Sequence, residues 1–575
     1  MNSPAVTFQT VTFSDGTVVE LEESDVMVLV GPHNAGKSLA LTELEGHFSG
    51  LVGSKVVSTA SIRKTGSKEA FTKWVERHVR IEPQGSHWTY SAFGNSLYTP
   101  NPPDQLWPQH IQSFNRLFCK RIATETRITD SNPVEAIDIL AGMPIHPIQM
   151  MFKNVELELK ISEYFRRAFG KDIILDRASG ANWHLLVGDR LTPLEGEDRI
   201  SDAYLSRVRL STVQLNQQGD GMRSFASVIM HLLAPTTFTL LMLDEPEAFL
   251  HPPQARLLGE IIATQKSPRA QLFLATHSPD VLQGLINVAT EHLRLLRMQR
   301  DGNVNRIKEL DKEFVKEISR DPLMKHSSVL SGLFHKRVIV CEGDADCMFY
   351  GSILDLTEIH GETHPDVLFV HGGGKDRLAK LAKTLIALDV PVDIVADMDL
   401  LNDENIFRAI VEALDGDWDV VKPMARAIKK AIEEHKPWLN ANEIKKGIVE
   451  ILDRLPSTGE FPERQQSEIR KLFRKASPWD AIKSGGQAAL PPGETTRKFQ
   501  ELREFCSQMG LWIVPVGELE GFCKSIGGHG PRWVRQVIEE RDLATDQELE
   551  SARKFVKQVW ESRRSYAMGD TAQGI

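Results

Sequence analysis

The sequence predicts an α/β chain of two successive units, each built on a parallel sheet. Three observations predict it. VMVLV (26–30), LLMLD (240–244) and LFLAT (272–276) are apolar on consecutive rather than alternating positions, the pattern of strands buried on both faces. RVIVC (337–341) and VDIVA (392–396) repeat that pattern later, separated by helical stretches, which implies strand–helix alternation. At 575 residues, 41% hydrophobic and 25% charged, the chain has an ordinary soluble composition and the length of three or four domains.

The bulk properties exclude several classes. A net charge of −10 argues against a uniformly basic nucleic-acid coat, while leaving room for a local basic groove. Five scattered cysteines without a CxxC imply neither a zinc site nor a disulfide framework, and fit a reducing cytoplasm. The N-terminus lacks the basic and apolar regions of a signal peptide. No uninterrupted apolar run reaches the ~18 residues of a membrane span, so no membrane partner is expected.

Residues 6–30 alternate as strands around the turn SDG and end in VMVLV. That strand runs into GPHNAGKS (31–38) and then a helix, the setting that G-x-x-x-x-G-K-[ST] requires. Gly31 and Gly36 let backbone N–H groups curl round the phosphates of ATP, with Asn34 in the same loop. Lys37 reaches the β- and γ-phosphates, and Ser38 offers a hydroxyl to Mg²⁺. Residues 50–135 carry short polar strands, a Pro-rich loop (99–108) and an expected helix around 109–122. With an amphipathic helix at 151–170 and a hairpin at 173–190, they read as an insertion of about 90–200 between the nucleotide motifs. Gln149 is a candidate Mg²⁺-sensing glutamine, although capping is the commoner role of a lone polar residue.

QQGDGMRSFASVIMHLL (217–233) is a Gly-rich turn opening an amphipathic helix. Gly219, Gly221 and Ser224 present N–H groups and a hydroxyl at its N-terminus, a second anion site. In the DEPE that follows, Asp244 is placed to hold Mg²⁺ and Glu245 to polarise the water that attacks a γ-phosphate. One strand later, His277 is positioned to contact that phosphate.

The second half carries separate chemistry. Glu342 and Asp346 follow the strand RVIVC, and Asp397 and Asp399 follow VDIVA. Carboxylates gathered at the C-terminal ends of neighbouring parallel strands form a hard, oxygen-rich set suited to Mg²⁺ or Mn²⁺. Two such ions activate a water and stabilise the leaving oxygen of a phosphodiester. Residues 404–505 read as helical, with basic patches among glutamates. Within them, the Arg470–Lys475 cluster is a candidate phosphate contact, and 483–494 reads as a flexible loop, a candidate lid. The chain returns to a strand at 511–522.

The order of Walker A loop, signature turn, D-E-P-E and strand-T-H-S resembles the ABC/SMC-like ATPases. E-G (342–343), G-G-G-K (372–375) and D-M-D (397–399) on successive strands resemble a TOPRIM fold. An ABC-type ATPase head with an inserted segment, followed by a TOPRIM α/β domain with a helical insertion, is similar to the OLD (overcoming lysogenization defect) nucleases. That family includes the Gabija nuclease subunit and effectors attached to some retrons. The resemblance covers about 31–55 and 205–415, and the C-terminal piece weakly.

It implies an ATP-regulated, metal-dependent DNA endonuclease of anti-phage defence that forms dimers or tetramers through its ATPase half. An accessory defence protein, or a retron reverse transcriptase with its nucleic acid, is the further partner class it leaves open. It also implies that Glu520 (or Glu518) binds a second metal and that Lys524 stabilises the pentavalent phosphate. Where many members carry a second glutamate, this chain has the shorter Asp346. The implied domains are 1–320 (ATPase), 335–403 with 506–565 (TOPRIM), 404–505 (helical insertion) and 566–575 (disordered tail). The alternative is an ATP-dependent DNA-binding clamp or repair scaffold with an inert TOPRIM domain. A topoisomerase would need a nucleophilic tyrosine in its own domain, and an SMC protein would need long heptad arms.

Overall fold

A computed structural model describes residues 3–561 apart from 51–54, 94, 103–104, 108–113, 139–141, 200, 235–237, 289–290, 303, 321–328, 357–364, 435–440, 456–460 and 475–477. The chain divides into two compact units, Met1–Phe334 and His335–Ile575. Among the described residues no helix is long and apolar enough to cross a membrane.

The first unit is organised on a six-stranded sheet. Its order is Val304–Glu309, Leu293–Asp301, Val26–Val30, Gln271–Ala275, Leu240–Asp244, Cys119–Ile122. All neighbours are parallel except the first pair, a hairpin. Every residue of Val26–Val30, Leu240–Asp244 and Gln271–Ala275 is buried, which is why these strands read as unbroken apolar runs. On one face, the antiparallel sheet formed by Ala5–Phe13, Val18–Glu20 and Val57–Thr65 closes a core with Phe8, Phe48, Phe71 and Phe273. The hairpin Asp172–Asp176/Asn182–Gly188 forms as the sequence predicts, beside the helix Val155–Phe169.

The stretch 109–122 differs from its expected helix. Residues 108–113 lie outside the described ones, and Cys119–Ile122 is a strand pairing in parallel with Leu240–Asp244. CKRI carries two adjacent charged residues, Lys120 and Arg121, at its centre because it is the outermost strand of the sheet, so its sequence lacks the buried-strand signature.

The second unit carries a four-stranded parallel sheet in the order Val367–His371, Arg337–Cys341, Val392–Ala396, Leu511–Ile513. Between its last two strands the chain is helical, from Glu404–Ala413 to Glu494–Gln508. The expected strand at 511–522 is shorter: Leu511–Ile513, then a turn, then the 3-10 helix Leu519–Phe522. The expected loop at 483–494 is also partly regular. It begins on the helix Pro478–Gly485 and continues as the 3-10 turn Gly486–Ala489. The helix Glu463–Arg474 runs through the Arg470–Lys475 cluster, whose side chains lie outside the described residues, as does the expected disordered tail.

Candidate functional site

Each unit gathers one constellation at the C-terminal ends of its parallel strands, where open α/β sheets place their ligands. In the first unit, Val26–Val30 delivers the loop 31–36 to the helix Lys37–Phe48. Gly31 has φ +147°, and a Cβ there would lie 2.0 Å from the Met298 carbonyl oxygen, so only glycine fits. Asn34 (φ 62°) and Gly36 (φ 90°) also adopt left-handed backbone, which turns successive N–H groups toward one centre. Lys37 is 3% exposed, and its Nζ donates to the carbonyls of Gly31 (2.7 Å) and Pro32 (2.8 Å). Burial pushes it down to about 8, against the upward pull of Glu245, Glu247 and Asp244.

Ser38 Oγ donates to Asp244 Oδ1 at 2.8 Å, joining the two candidate Mg²⁺ ligands. Glu245 sits at φ 46°, a strained conformation for glutamate, and its Oε1 is 3.1 Å from His277 Nε2. His277 stacks on His33 at 4.3 Å, and burial first, then Lys37 and His33, push its pKa down to about 4. The ring is therefore neutral near pH 7, and its Nε2 faces the Glu245 carboxylate. Glu247 accepts from Thr276 Oγ1 and His277 N, both at 2.7 Å, fixing the backbone that carries the histidine.

Two arginines unread in the sequence complete this site. Arg121 pairs with Asp244 Oδ2 at 3.4 Å. Arg127, fully buried, donates to the carbonyls of Asp244 (3.0 Å) and Glu245 (2.7 Å). Both are delivered by the Cys119–Ile122 strand and the short helix Thr124–Arg127 after it, the stretch whose sequence pattern pointed elsewhere. Gly219 caps the helix Asp220–Leu233, Gly221 packs against the Phe249 carbonyl, and Ser224 Oγ is buried without a partner. Among the described residues, no hydrogen bond joins these three to Lys37, Ser38 or Asp244. Gln149 takes its bland role: its Oε1 accepts from the N–H groups of Ile145 and His146 ahead of the helix Pro147–Lys153.

In the second unit, Glu342 directly follows Arg337–Cys341, and Asp397 directly follows Val392–Ala396. Asp399 lies two residues further, in the 3-10 turn Met398–Asn402. One carboxylate oxygen from each falls within 4.8 Å of the others. The Asp397 N–H donates to Glu342 Oε1 at 3.0 Å, and Gly343 N–H donates to Asp346 Oδ2 at 2.8 Å. Burial first, and then the neighbouring acids, raise Glu342, Asp346 and especially Asp397 above the usual carboxylate range. The G-G-G-K turn hooks over the strand ends through Gly372 N–H to Cys341 O and Gly374 N–H to Glu342 O, and sets Lys375 Nζ 3.5 Å from Asp399.

A second group, Glu518, Glu520 and His529, also converges within 4.8 Å. Both groups open into one cavity of about 1280 Å³, lined by Glu342, Asp346, Asp397, Lys483, Glu518 and Glu520 among others. Lys524 is exposed and does not line it. Besides Lys375, the fold brings Lys483 to the carboxylates from the helical insertion; its Nζ is 3.8 Å from Asp397 and Asp399 and 3.7 Å from Glu518. The resemblance implied Lys524 for this role; Lys483 is the lysine that lines the cavity.

The donor set fits a divalent cation. It is all oxygen, it clusters at one point, and Asp399 Oδ1 is buried without a partner. Glu342, Asp397 and Asp399 would hold one such ion, with Glu518 and Glu520 facing the same space.

Comparison with known proteins agrees with this division. Residues 155–283, covering the signature helix, Asp244 and His277, match the AAA domain family whose description adds "AbiEii toxin, Type IV TA system". Residues 333–399 match the TOPRIM domain of overcoming lysogenization defect protein-like proteins. The Old nuclease of Escherichia phage P2 is 23% identical over 196 residues, 31% of this chain and 33% of that protein, so the match spans about a third of that relative's length. Solved structures include an SMC head bound to the C-terminal winged-helix domain of ScpA (10% identity, 53% of this chain, 97% of that one, TM-score 0.33). The SMC head domain from Thermotoga maritima aligns at 11% identity over 54% of this chain and 100% of that one, with a TM-score of 0.27. An AAA-type ATPase domain followed by an OLD-like TOPRIM domain is the architecture of the OLD nucleases, and it is to that family that the chain is similar.

Proposed function

We propose that the chain is an ATP-regulated, divalent-metal-dependent DNA endonuclease of bacterial anti-phage defence, acting alone or as the effector of a retron or similar system. The observation that carries this is the convergence of Glu342, Asp397 and Asp399 at adjacent strand ends, on a cavity shared with Glu518 and Glu520. Mg²⁺ or Mn²⁺ held there supplies the Lewis-acid charge that phosphodiester hydrolysis needs. The chain's own residues position that charge: Asp397 N–H orients Glu342, Gly343 N–H orients Asp346, and Lys375 steadies Asp399.

In the ATPase unit, the loop 31–36 would cradle the phosphates of ATP, Lys37 would exchange its carbonyl partners for the γ-phosphate, and Ser38 and Asp244 would hold Mg²⁺. Glu245, oriented by His277, aligns the attacking water. The signature helix, with no bond to its own nucleotide residues, fits a role toward a second copy of the chain in a dimer or tetramer.

The test is plasmid cleavage with Mg²⁺ or Mn²⁺, with and without ATP. We expect Asp397→Ala to lower cutting by more than about 100-fold and Lys37→Ala to abolish the response to ATP. A wild type that hydrolyses ATP but cuts nothing under any of these conditions would overturn the reading of a nuclease that acts alone, leaving a DNA-binding clamp or scaffold or a nuclease that waits for a partner.

A further inference from the structure

Lys483 stands at nearly equal distance from three carboxylates, 3.8 Å from Asp397 Oδ2 and Asp399 Oδ2 and 3.7 Å from Glu518 Oε2. Charge-assisted hydrogen bonds close to about 2.7–2.9 Å. The ammonium is thus centred among the acids, as an ion in a coordination site would be, rather than docked on one of them. It also spans the two groups, since Asp397 and Asp399 belong to one and Glu518 to the other.

The backbone beneath it is fixed. A Cβ on Gly517 (φ +100°) would meet the Lys483 carbonyl oxygen at 2.1 Å, and one on Gly486 (φ +61°) would meet Val516 C at 2.3 Å. Gln487 N–H donates to Pro515 O at 2.9 Å, clamping the end of the helix Pro478–Gly485 onto the loop that leads to Glu518. The side chain can swing, but its root cannot leave. Six half-buried carboxylates (Glu342, Asp346, Asp397, Asp399, Glu518, Glu520) face two lysines, Lys375 and Lys483.

We propose that Lys483 is a resident cation of this centre that competes with divalent metal, so that metal loading displaces its side chain and is felt by the helical insertion. The proposal rests on the reading of these carboxylates as a metal centre. A monovalent charge about 4 Å from a bound divalent ion opposes it strongly in a half-buried site, so removing the charge tightens binding by about tenfold or more.

The experiment titrates Mn²⁺ into the nucleotide-free full chain and follows loss of the free-ion EPR signal. Wild type is compared with Lys483→Met, Lys483→Gln, Lys483→Arg and the double variant Asp397→Ala/Asp399→Ala. The proposal expects about tenfold tighter binding in Lys483→Met and Lys483→Gln and near-wild-type binding in Lys483→Arg. Two neutral variants keep a folding defect in one from deciding the result, and thermal melts identify such a defect. Unchanged or weaker binding in the folded neutral variants overturns the competition while leaving the metal centre standing. If no Mn²⁺ binding in wild type or Lys483→Met is lost in the double variant, the metal centre itself falls, and the role of Lys483 with it.

Discussion

A neutral histidine beside a glutamate makes the nucleotide site sensitive to acid. His277 has its pKa pushed from 6.5 to about 4 by burial and by the charges of Lys37 and His33. As pH falls, the unfolded chain therefore takes up the proton first. The stability that the neutral ring contributes is complete above about pH 6.5 and is lost between 6.5 and 4, by up to about 3 kcal/mol. Denaturant midpoints of the ATPase unit at pH 7 and pH 4.5 should lie further apart in wild type than in His277→Gln. Arg127 acts through its geometry. Truncation to alanine strips the Glu245 carbonyl of its donor and leaves the Asp244 carbonyl that of Thr124 alone, in a buried site, at a cost of about 2–4 kcal/mol. Arg127→Lys keeps the charge without the fork that reaches both carbonyls, so its thermal midpoint should lie between those of wild type and Arg127→Ala. At this scale the residues legible in the sequence are those in contiguous motifs, such as Lys37, Asp244 and Asp397. Arg121, Arg127 and Lys483 were not legible, because each is brought to its partners by the fold from distant stretches of chain and no local spacing marks it.

Elements differ in legibility by where they lie in the sheet. Leu240–Asp244 and Val392–Ala396 are covered on both faces and announce themselves as apolar runs. Leu511–Ile513, at an edge, is legible but shorter than its apolar pattern suggests, whereas Cys119–Ile122 is an edge strand with charged residues at its centre, and tertiary pairing rather than pattern makes it a strand. The same holds for Pro478–Gly485, whose SGGQ ending reads as a loop; here the glycines permit close packing. Gly517→Ala tests that packing. Its Cβ has no room and its φ is left-handed, so the substitution should cost more than about 2 kcal/mol. Hydrogen exchange across 478–489 should accelerate in the variant, while exchange in Val26–Val30 stays unchanged.

For the whole molecule, the separation of the two sites is what matters. Every residue of the nucleotide site lies within Met1–Phe334, and every residue of the carboxylate centre within His335–Ile575. Sites that share no residue should respond independently to substitution. Asp397→Ala should keep the ATPase rate within about twofold of wild type, and Lys37→Ala should keep the Mn²⁺ affinity of the carboxylate centre within the same range. An ATP-dependent shift in that affinity, lost in Lys37→Ala, would measure the coupling between them directly.

The order of the strands carries a consequence for synthesis. The carboxylate centre needs Glu342 from the second strand of its sheet and Asp397 from the third. It also needs Lys483, Glu518 and Glu520 from segments reached only after the helical stretch. A ribosome making this chain finishes the nucleotide-binding unit some two hundred residues before it releases the last of those groups. A partial chain, stalled or truncated anywhere before Leu511–Ile513, holds its acids without the partners that complete the cavity. On the proposed reading, the nascent chain lacks a complete carboxylate cavity until the nucleotide-binding unit is already made.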